Sequence, residues 1–338
     1  MINCHTHTFS INNVPDDFLP LKLSKLSRNP LLRKVIIRLL QMNDPLTARD
    51  IAERLATFIT LMNQESQADI FDNLASNYPK GTKFVVLPMD FEFSGYHPPH
   101  TSTETQLGIL KSLAETRPII PFCPVDPRRP DIMGFVKKWI EDKGFAGLKL
   151  YPALGYEVND SRLDPVYEYA CENKTPIITH CGGTSVRGKH TSEADAYAKS
   201  LPYKYISVLA RYNELHLCFA HYGGVKAWQA KLGLIDSCED SWVDSISNLM
   251  KQHPNVYADI AYTIFTHPSF YNYLKVLMTD ATLSKKILFG TDFPLANLEE
   301  RTEKQVSIDL RAVLGEDSWN MISELNPRQF LGVKNTCV

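Results

Sequence analysis

Residues 176–183 read PIITHCGG, a short apolar run that ends in a histidine and two glycines. Residues 215–224, LHLCFAHYGG, repeat this order. Outward from these two stretches, other short runs rich in β-branched or aromatic residues end in Gly, Pro, Asp or His, which is typical of buried strands. We predict strands at Ile2–Thr8, Phe84–Phe91, Ile119–Asp126, Gly147–Tyr151, Pro176–Cys181, Leu215–His221, Val256–Ile260 and Ile287–Asp292.

Stretches with helical spacing separate these strands, and strand–helix alternation favours a parallel sheet. Eight such units predict an α/β fold of the (β/α)8 TIM-barrel type. The absence of GxGxxG after the first strand disfavours an open dinucleotide-binding sheet. The clearest helical stretches are Ala48–Tyr78, Ser102–Thr116, Pro130–Lys143, Leu163–Asn173 and Trp242–Gln252.

The 338 residues are predicted to form one domain, 1–338. Residues 12–45 contain four prolines and an apolar, basic stretch, Leu31–Leu40. We predict that 12–45 is an inserted helical segment over the barrel mouth, after strand one. A helix that lies on a membrane surface is the alternative interpretation of its apolar, basic stretch.

Composition excludes several classes of function. The formal net charge is -2, which gives no general attraction to nucleic acid or to an anionic membrane. The sequence contains no run of 18 apolar residues, so we expect no transmembrane helix. The first ten residues do not resemble a secretory signal. The seven cysteines form no CxxC pair, so we expect a reducing, cytoplasmic location.

His5 and His7 are the first candidate metal ligands. In a strand, residues i and i+2 share a face about 6.6 Å apart, so two imidazoles can close on one ion. Two surface histidines near the terminus are the alternative. Strict alternation separates Cys4 from His5 and His7 in strand one and groups His221 with Phe219 in strand six. Alternation alone does not decide which face points inward, and we assign Cys4 to the helix side and Phe219 to the barrel interior.

Three more candidate groups end strands five, six and eight: His180, His221 and Asp292. Because the carboxyl ends of barrel strands converge on one face, these groups are expected to meet His5 and His7 there. Imidazoles and a carboxylate suit zinc, although manganese and iron accept the same ligands.

In this order, HTH, GLKLYP, THCGG, AHYGG and GTDFP resemble the amidohydrolase superfamily. The chain is similar to its amidohydrolase-2 branch, which includes aminocarboxymuconate-semialdehyde decarboxylase. The resemblance implies a divalent metal, usually zinc, held by the side chains at positions 5, 7, 180 and 292. It also implies that His221 lies beside the metal-bound water or the substrate.

In such a site zinc lowers the pKa of bound water to about 7, and this water would be the nucleophile of a hydrolase. Asp292 would ligate the metal and take the water's proton. His221 would orient the oxygen under attack and protonate the leaving group. A ligand of a second metal is the alternative role for His221.

Lys149 in strand four has three interpretations. The superfamily resemblance allows a carbamylated lysine that bridges two metals. An ammonium group that binds a substrate carboxylate is the second, and a lysine whose stem packs in the core is the third.

Substrate-binding side chains are expected on the loops after the strands. Our candidates are Tyr151, Arg187 and His97, although ordinary surface groups are the alternative for each. Arg187 and Lys149 together favour an anionic substrate such as a carboxylate.

The residues therefore predict a metal-dependent hydrolase acting on a C–N or C–O bond of a small, carboxylate-bearing molecule. A decarboxylase or hydratase, that is a lyase, is the alternative. A non-catalytic barrel stabilised by metal is the third hypothesis, against which the glycine pairs after the histidines leave backbone room for a ligand. We expect a small-molecule partner, no nucleic acid and no membrane, and a homodimer because related barrels often pair.

Overall fold

The computed structural model describes residues 1–42, 56–57, 59–60, 66–184, 186–236, 240–299 and 301–333. Eight strands follow one another around a single parallel sheet, each paired with the next. They are β1 Ile2–Thr6, β2 Lys83–Val86, β3 Ile119–Val125, β4 Gly147–Leu150, β5 Ile177–Thr179, β6 Leu217–Phe219, β7 Val256–Asp259 and β8 Ile287–Leu288.

The sheet returns to its first strand. The backbone N–H of Cys4 in β1 donates to the carbonyl oxygen of Phe289, just after β8, over 2.8 Å. Thr6 forms a parallel bridge with Phe293. The predicted (β/α)8 barrel is therefore confirmed. Its strands end earlier than the sequence predicts, so His7, His180, His221 and Asp292 lie on the loops that follow them, while His5 and Lys149 lie within β1 and β4.

Helices separate the strands. Ser102 shows how one of them starts, because its hydroxyl accepts a bond from the Thr105 N–H at the N-cap. The helices are α1 Leu23–Ser27, α2 Pro30–Met42, α3 Gln67–Ser76, α4 Thr103–Ala114, α5 Ile132–Lys137, α6 Asp164–Glu172, α7 Glu193–Lys199, α8 Tyr205–Arg211, α9 Val225–Lys231, α10 Asp240–Gln252, α11 Thr263–Thr266, α12 Ser269–Leu277, α13 Glu303–Leu314, α14 Glu316–Asn320 and α15 Asn326–Phe330.

Four of the clearest predicted helical stretches correspond to α4, α5, α6 and α10. The fifth, Ala48–Tyr78, is described only in part, and α3 lies within it. In the described part of the chain, no helix has the length and apolar character needed to cross a bilayer. The five described cysteines, at positions 4, 123, 171, 181 and 218, form no disulfide.

Two apolar clusters divide the barrel wall. The inner cluster joins residues of seven strands with Phe330, and it includes Ile2, Cys4 and Cys218. The outer cluster joins the alternate strand residues to the helices, and it includes Phe219. The predictions for Cys4 and Phe219 are therefore wrong. A bulge between Asn3 and Thr6 interrupts strict alternation in β1 and lets His5 point inward as well.

A third apolar cluster covers the carboxyl ends of the strands. Ile11 and Val14 pack there with Met89 beyond β2 and Tyr151 beyond β4. Part of the predicted insertion 12–45 thus lies beside the barrel mouth, and its residues 43–45 fall outside the described residues. The division of the chain into one barrel domain with this insertion stays a prediction.

Candidate metal centre

His7 and Asp292 come together although 285 positions separate them in the sequence. The Nε2 atom of His7 lies 2.8 Å from Asp292 Oδ1, and Nε2 of His5 lies 3.4 Å from the same oxygen. All three side chains are buried. One ligand atom from each lies within 4.8 Å of the others, which is close enough for a shared cation.

The hydrogen bonds of the two imidazoles fix which nitrogen carries the proton. Nδ1 of His7 lies 2.6 Å from the carbonyl oxygen of Leu87, which can only accept. Nδ1 of His5 lies 2.9 Å from Asp259 Oδ2. Both Nδ1 atoms therefore donate, and in the neutral rings both Nε2 atoms present lone pairs toward Asp292.

His180 and His221 form a second pair beside the first. Nε2 of His221 lies 3.2 Å from Nδ1 of His180. The other nitrogen of each ring faces a backbone carbonyl: His221 Nδ1 faces Ala261 and His180 Nε2 faces Gly182. When both rings are neutral and these outer nitrogens donate, the two facing nitrogens both present lone pairs.

His221 also connects the two pairs, because its ring centroid lies 4.8 Å from that of His5 and 4.9 Å from that of His180. His5, His221 and Asp259 form a second group of three donor residues. Among the described residues, His180 belongs to neither three-residue group. The contact between its Nδ1 and Nε2 of His221 connects it to the other donor residues.

Two of these side chains are aimed by unusual backbone. His221 has a φ of 64° and Asp292 a φ of 66°, which are left-handed values that non-glycine residues seldom adopt. The Asp292 N–H donates to the carbonyl oxygen of His5 over 2.8 Å. The hydroxyl of Thr263 donates to the carbonyl oxygen of His221. These bonds hold both residues where their side chains enter the cluster.

Glycines beside the histidines allow close approach of neighbouring backbone segments, while Gly183 has open space around it. A Cβ atom on Gly224 would lie 3.2 Å from the Cα of Gly182, so the loops after β5 and β6 pass in backbone contact. A Cβ atom on Gly290 would lie 2.8 Å from that of His5. Glycine thus lets the chain around the histidines close tightly.

Lys149 lies in β4, between Leu148 and Leu150 of the outer cluster, and its side chain is 2% exposed. Its Nζ has no hydrogen-bond partner among the described residues. Burial lowers the pKa of Lys149 to about 8, while Asp259 and Asp292 oppose the shift. The electrostatic influence of both carboxylates places this ammonium group beside the histidine cluster.

Tyr151 is next to the cluster, and its ring stacks on that of His180. The other two candidate substrate contacts are His97 and Arg187. His97 is exposed and pairs with Asp17 over 2.9 Å, and Arg187 is half-buried on the loop that follows β5. The structure thus brings Tyr151, and not His97, to the histidines.

The donor chemistry of this cluster fits a divalent cation. Four imidazole lone pairs and a carboxylate converge, and all of them are acceptors that repel one another without a positive charge between them. Burial lowers the pKa of His5 and of His180 well below the ordinary value, so protons are poor substitutes for a metal. Neutral imidazoles and carboxylate are the ligands that zinc and manganese accept.

Asp259 is the residue that the sequence analysis missed. It ends β7 just as His180 and Asp292 follow β5 and β8, so the same strand-end criterion identifies it. Burial raises its pKa, while a bond from the His221 N–H and the ammonium group of Lys149 oppose that effect. Its carboxylate contacts His5 at Nδ1, the ring nitrogen opposite the one that faces Asp292.

A (β/α)8 barrel with a metal-binding donor set at the carboxyl ends of its strands defines a class of metal-dependent enzymes. The sequence model of a family described as amidohydrolase matches residues 98–333, and the chain belongs to this amidohydrolase-2 family. Comparison with curated protein sequences gave no match.

Solved structures share the fold across most of the chain. 4-Oxalomesaconate hydratase from Rhodopseudomonas palustris is 17% identical with a TM-score of 0.52, covering 98% of this chain and 95% of its own. An amidohydrolase from Burkholderia multivorans with bound zinc is 12% identical with a TM-score of 0.56, covering 82% and 92%.

A third structure is 5-carboxyvanillate decarboxylase from Novosphingobium aromaticivorans with bound manganese. It is 12% identical with a TM-score of 0.55, covering 98% of this chain and 96% of its own. At these identities the likeness concerns the fold, and the family membership rests on the sequence model.

Proposed function

We propose that this chain is a metal-dependent hydrolase that cleaves a C–N or C–O bond of a small, carboxylate-bearing substrate. The observation on which this rests is the convergence of acceptor atoms, above all the lone pairs of His5 and His7 against Asp292 Oδ1. Such an arrangement is costly when buried and becomes favourable around a cation.

We assign His5, His7, His180 and Asp292 as the metal ligands, with zinc as the expected ion. A divalent cation held by them supplies a Lewis acid that polarises an oxygen and makes water acidic near neutral pH. Nδ1–H bonds behind His5 and His7 keep their Nε2 atoms available for this role.

His221 and Asp292 are the proposed proton-transferring groups. Because Nδ1 of His221 faces the Ala261 carbonyl, Nε2, which faces His180 Nδ1 at 3.2 Å, is the nitrogen that would accept a proton and return it to a leaving group. Asp292 offers a second oxygen besides the one that faces His5 and His7, and this oxygen can accept the proton of an attacking water.

Lys149 is the proposed contact for the substrate carboxylate. A buried ammonium group without a hydrogen-bond partner among the described residues is costly, and an anionic ligand would offset that cost. The ring of Tyr151 lies 5.9 Å from Lys149 Nζ and stacks on His180, so the ammonium group lies on the side of the site where a substrate carboxylate would bind.

A lyase that decarboxylates or hydrates an unsaturated or aromatic acid is the second candidate. The buried Lys149 beside an aromatic ring favours it, because both groups suit a planar carboxylate. The decarboxylase and the hydratase among the compared structures show that this fold accommodates such chemistry in other proteins.

Metal content and a substrate screen test the proposal together. The purified protein is stripped with chelator, reloaded with zinc or manganese, and assayed with small lactones, amides and aromatic carboxylic acids. We expect about one bound metal per chain and metal-dependent hydrolysis. Release of CO2 or addition of water to a double bond would favour the lyase, whereas metal binding without turnover of any substrate class would favour a non-catalytic barrel.

His180→Ala is the matching variant, because we expect it to abolish both metal binding and turnover. His253→Ala is its control. His253 is a half-buried histidine before β7 that belongs to neither donor group, so its replacement should change neither property.

A further inference from the structure

Asp259 contacts two of the site histidines at once. Its side chain is 0% exposed. Oδ2 lies 2.9 Å from Nδ1 of His5, and Oδ1 accepts the backbone N–H groups of His221 over 2.9 Å and Ala261 over 3.0 Å. Both oxygens are therefore occupied by groups whose positions define the cluster.

The bond to His5 selects a tautomer. An ionised carboxylate can only accept, so Nδ1 of His5 carries the proton and Nε2 keeps its lone pair. That nitrogen faces Asp292 at 3.4 Å. Without the carboxylate, His5 would be free to protonate Nε2, and this atom could no longer bind a cation.

The bond to His221 acts on the backbone instead. His221 follows β6 with a left-handed φ of 64°, a conformation that costs free energy for a residue with a side chain. Its N–H is held by Asp259 and its carbonyl oxygen by the hydroxyl of Thr263. These two anchors keep the ring of His221 between those of His5 and His180.

We propose that Asp259 is a positioning residue that sets the cation affinity of the site by holding His5 in its Nδ1–H tautomer and His221 in its left-handed backbone. This inference rests on the proposed function, since it assigns to Asp259 the role of holding two residues of the same proposed metal centre. Asp259 needs no contact with substrate or cation for this role.

Asp259→Asn is the informative variant. Its remaining oxygen can still accept from His221 and Ala261, but its amide N–H2 would face His5 Nδ1 and favour the opposite tautomer. We expect zinc affinity to fall about 10- to 100-fold in competition with a chromophoric chelator. In the metal-free protein with 15N-labelled histidine, NMR should show the His5 proton moving from Nδ1 to Nε2.

Asp126→Asn is the matched control. Asp126 is an equally buried aspartate that follows β3, where it accepts from the backbone N–H of Arg128 and pairs with its guanidinium group. Loss of this carboxylate should leave zinc affinity and the His5 tautomer unchanged. A general effect of removing a buried carboxylate would instead weaken both variants alike.

The outcomes separate this inference from the proposed function. If the wild type binds no divalent metal, both are wrong. If the wild type binds zinc and Asp259→Asn binds it equally well, Asp259 has no positioning role while the proposed function stands. A wild type with two metals per chain that retains one after the substitution would make Asp259 a ligand and overturn the inference.

The wild-type spectrum decides the question even where Asp259→Asn does not fold. A proton on Nδ1 of His5 in the metal-free wild type supports the inference. A proton on Nε2 of His5 in that spectrum contradicts it, whatever the variant does.

Discussion

The rings of Tyr151 and His180 stack with their centroids 4.3 Å apart and their planes 19° from parallel. The Tyr151 hydroxyl is bound to Thr184 Oγ1 over 2.9 Å, so the tyrosine is anchored on the loop after β5. Among the described residues, the ring nitrogens of His180 contact backbone once, at 3.2 Å from the carbonyl oxygen of Gly182. Stacking on Tyr151 therefore contributes to the ring orientation of a proposed metal ligand.

Replacing Tyr151 tests this role. We expect Tyr151→Ala to weaken zinc binding by up to about tenfold, because an aromatic pair contributes roughly 0.5–1.5 kcal/mol beyond burial. Tyr151→Phe keeps the ring and should retain the affinity of the wild type in the same chelator competition. Equal losses in the two variants would show that the hydroxyl, and not the stack, is what matters.

Replacing His221 distinguishes one metal from two. If His221 transfers protons and binds no metal, His221→Ala should keep most of the bound zinc and lower kcat by about 10² or more. Metal analysis and steady-state kinetics on the same preparation give both values. A loss of half the metal would instead identify His221 as a ligand of a second ion.

Replacing Lys149 tests the proposed carboxylate contact. Lys149→Met keeps a long, unbranched side chain and removes the charge, so we expect a KM at least tenfold higher for carboxylate substrates, about the loss of one charged hydrogen bond. The KM of a neutral analogue should be unchanged. Thermal stability should stay equal or rise, because an ammonium group that is buried with no hydrogen-bond partner in the described part of the chain is removed.

The same variant examines the carbamylated interpretation of Lys149. If Lys149 bridges two metals as a carbamate, its replacement by methionine should remove half of the bound metal. Unchanged metal content together with a raised KM would leave the ammonium contact as the interpretation.

The order and approximate positions of the strands were predictable, while the directions of several side chains were not. The positions of β5, β6 and β8 follow from local apolar runs, and parallel strands must bring the groups after them to one face. The inward direction of His5 depends on the bulge in β1, which arises from pairing with β2. The direction of the His221 side chain depends on the left-handed backbone conformation of His221 itself, whose N–H donates to Asp259. Both are tertiary effects that strict alternation cannot anticipate.

A buried acid lies behind the centre, outside the proposed ligand set. Glu303 begins α13 and is 1% exposed, and the Tyr78 hydroxyl donates to its Oε2. Asn3 in turn donates to Tyr78 over 3.3 Å and to the Thr291 hydroxyl over 2.9 Å. This network links α13 to β1 and to the residue before Asp292, so its protonation state bears on the stability of the fold.

Burial raises the pKa of Glu303 from its ordinary value near 4.5 to about 7 in the folded protein. The folded state therefore holds this proton more tightly than the unfolded state. The stabilisation is complete below about pH 4.5 and is lost as pH rises through about 7, with an upper limit of about 3 kcal/mol.

Glu303→Gln mimics the protonated acid, so it should match the wild type near pH 5 and be more stable at pH 8. Unfolding in urea at both pH values measures this difference, with the exposed Glu115→Gln as the control variant. A stability difference that does not change with pH would show that Glu303 titrates alike in both states.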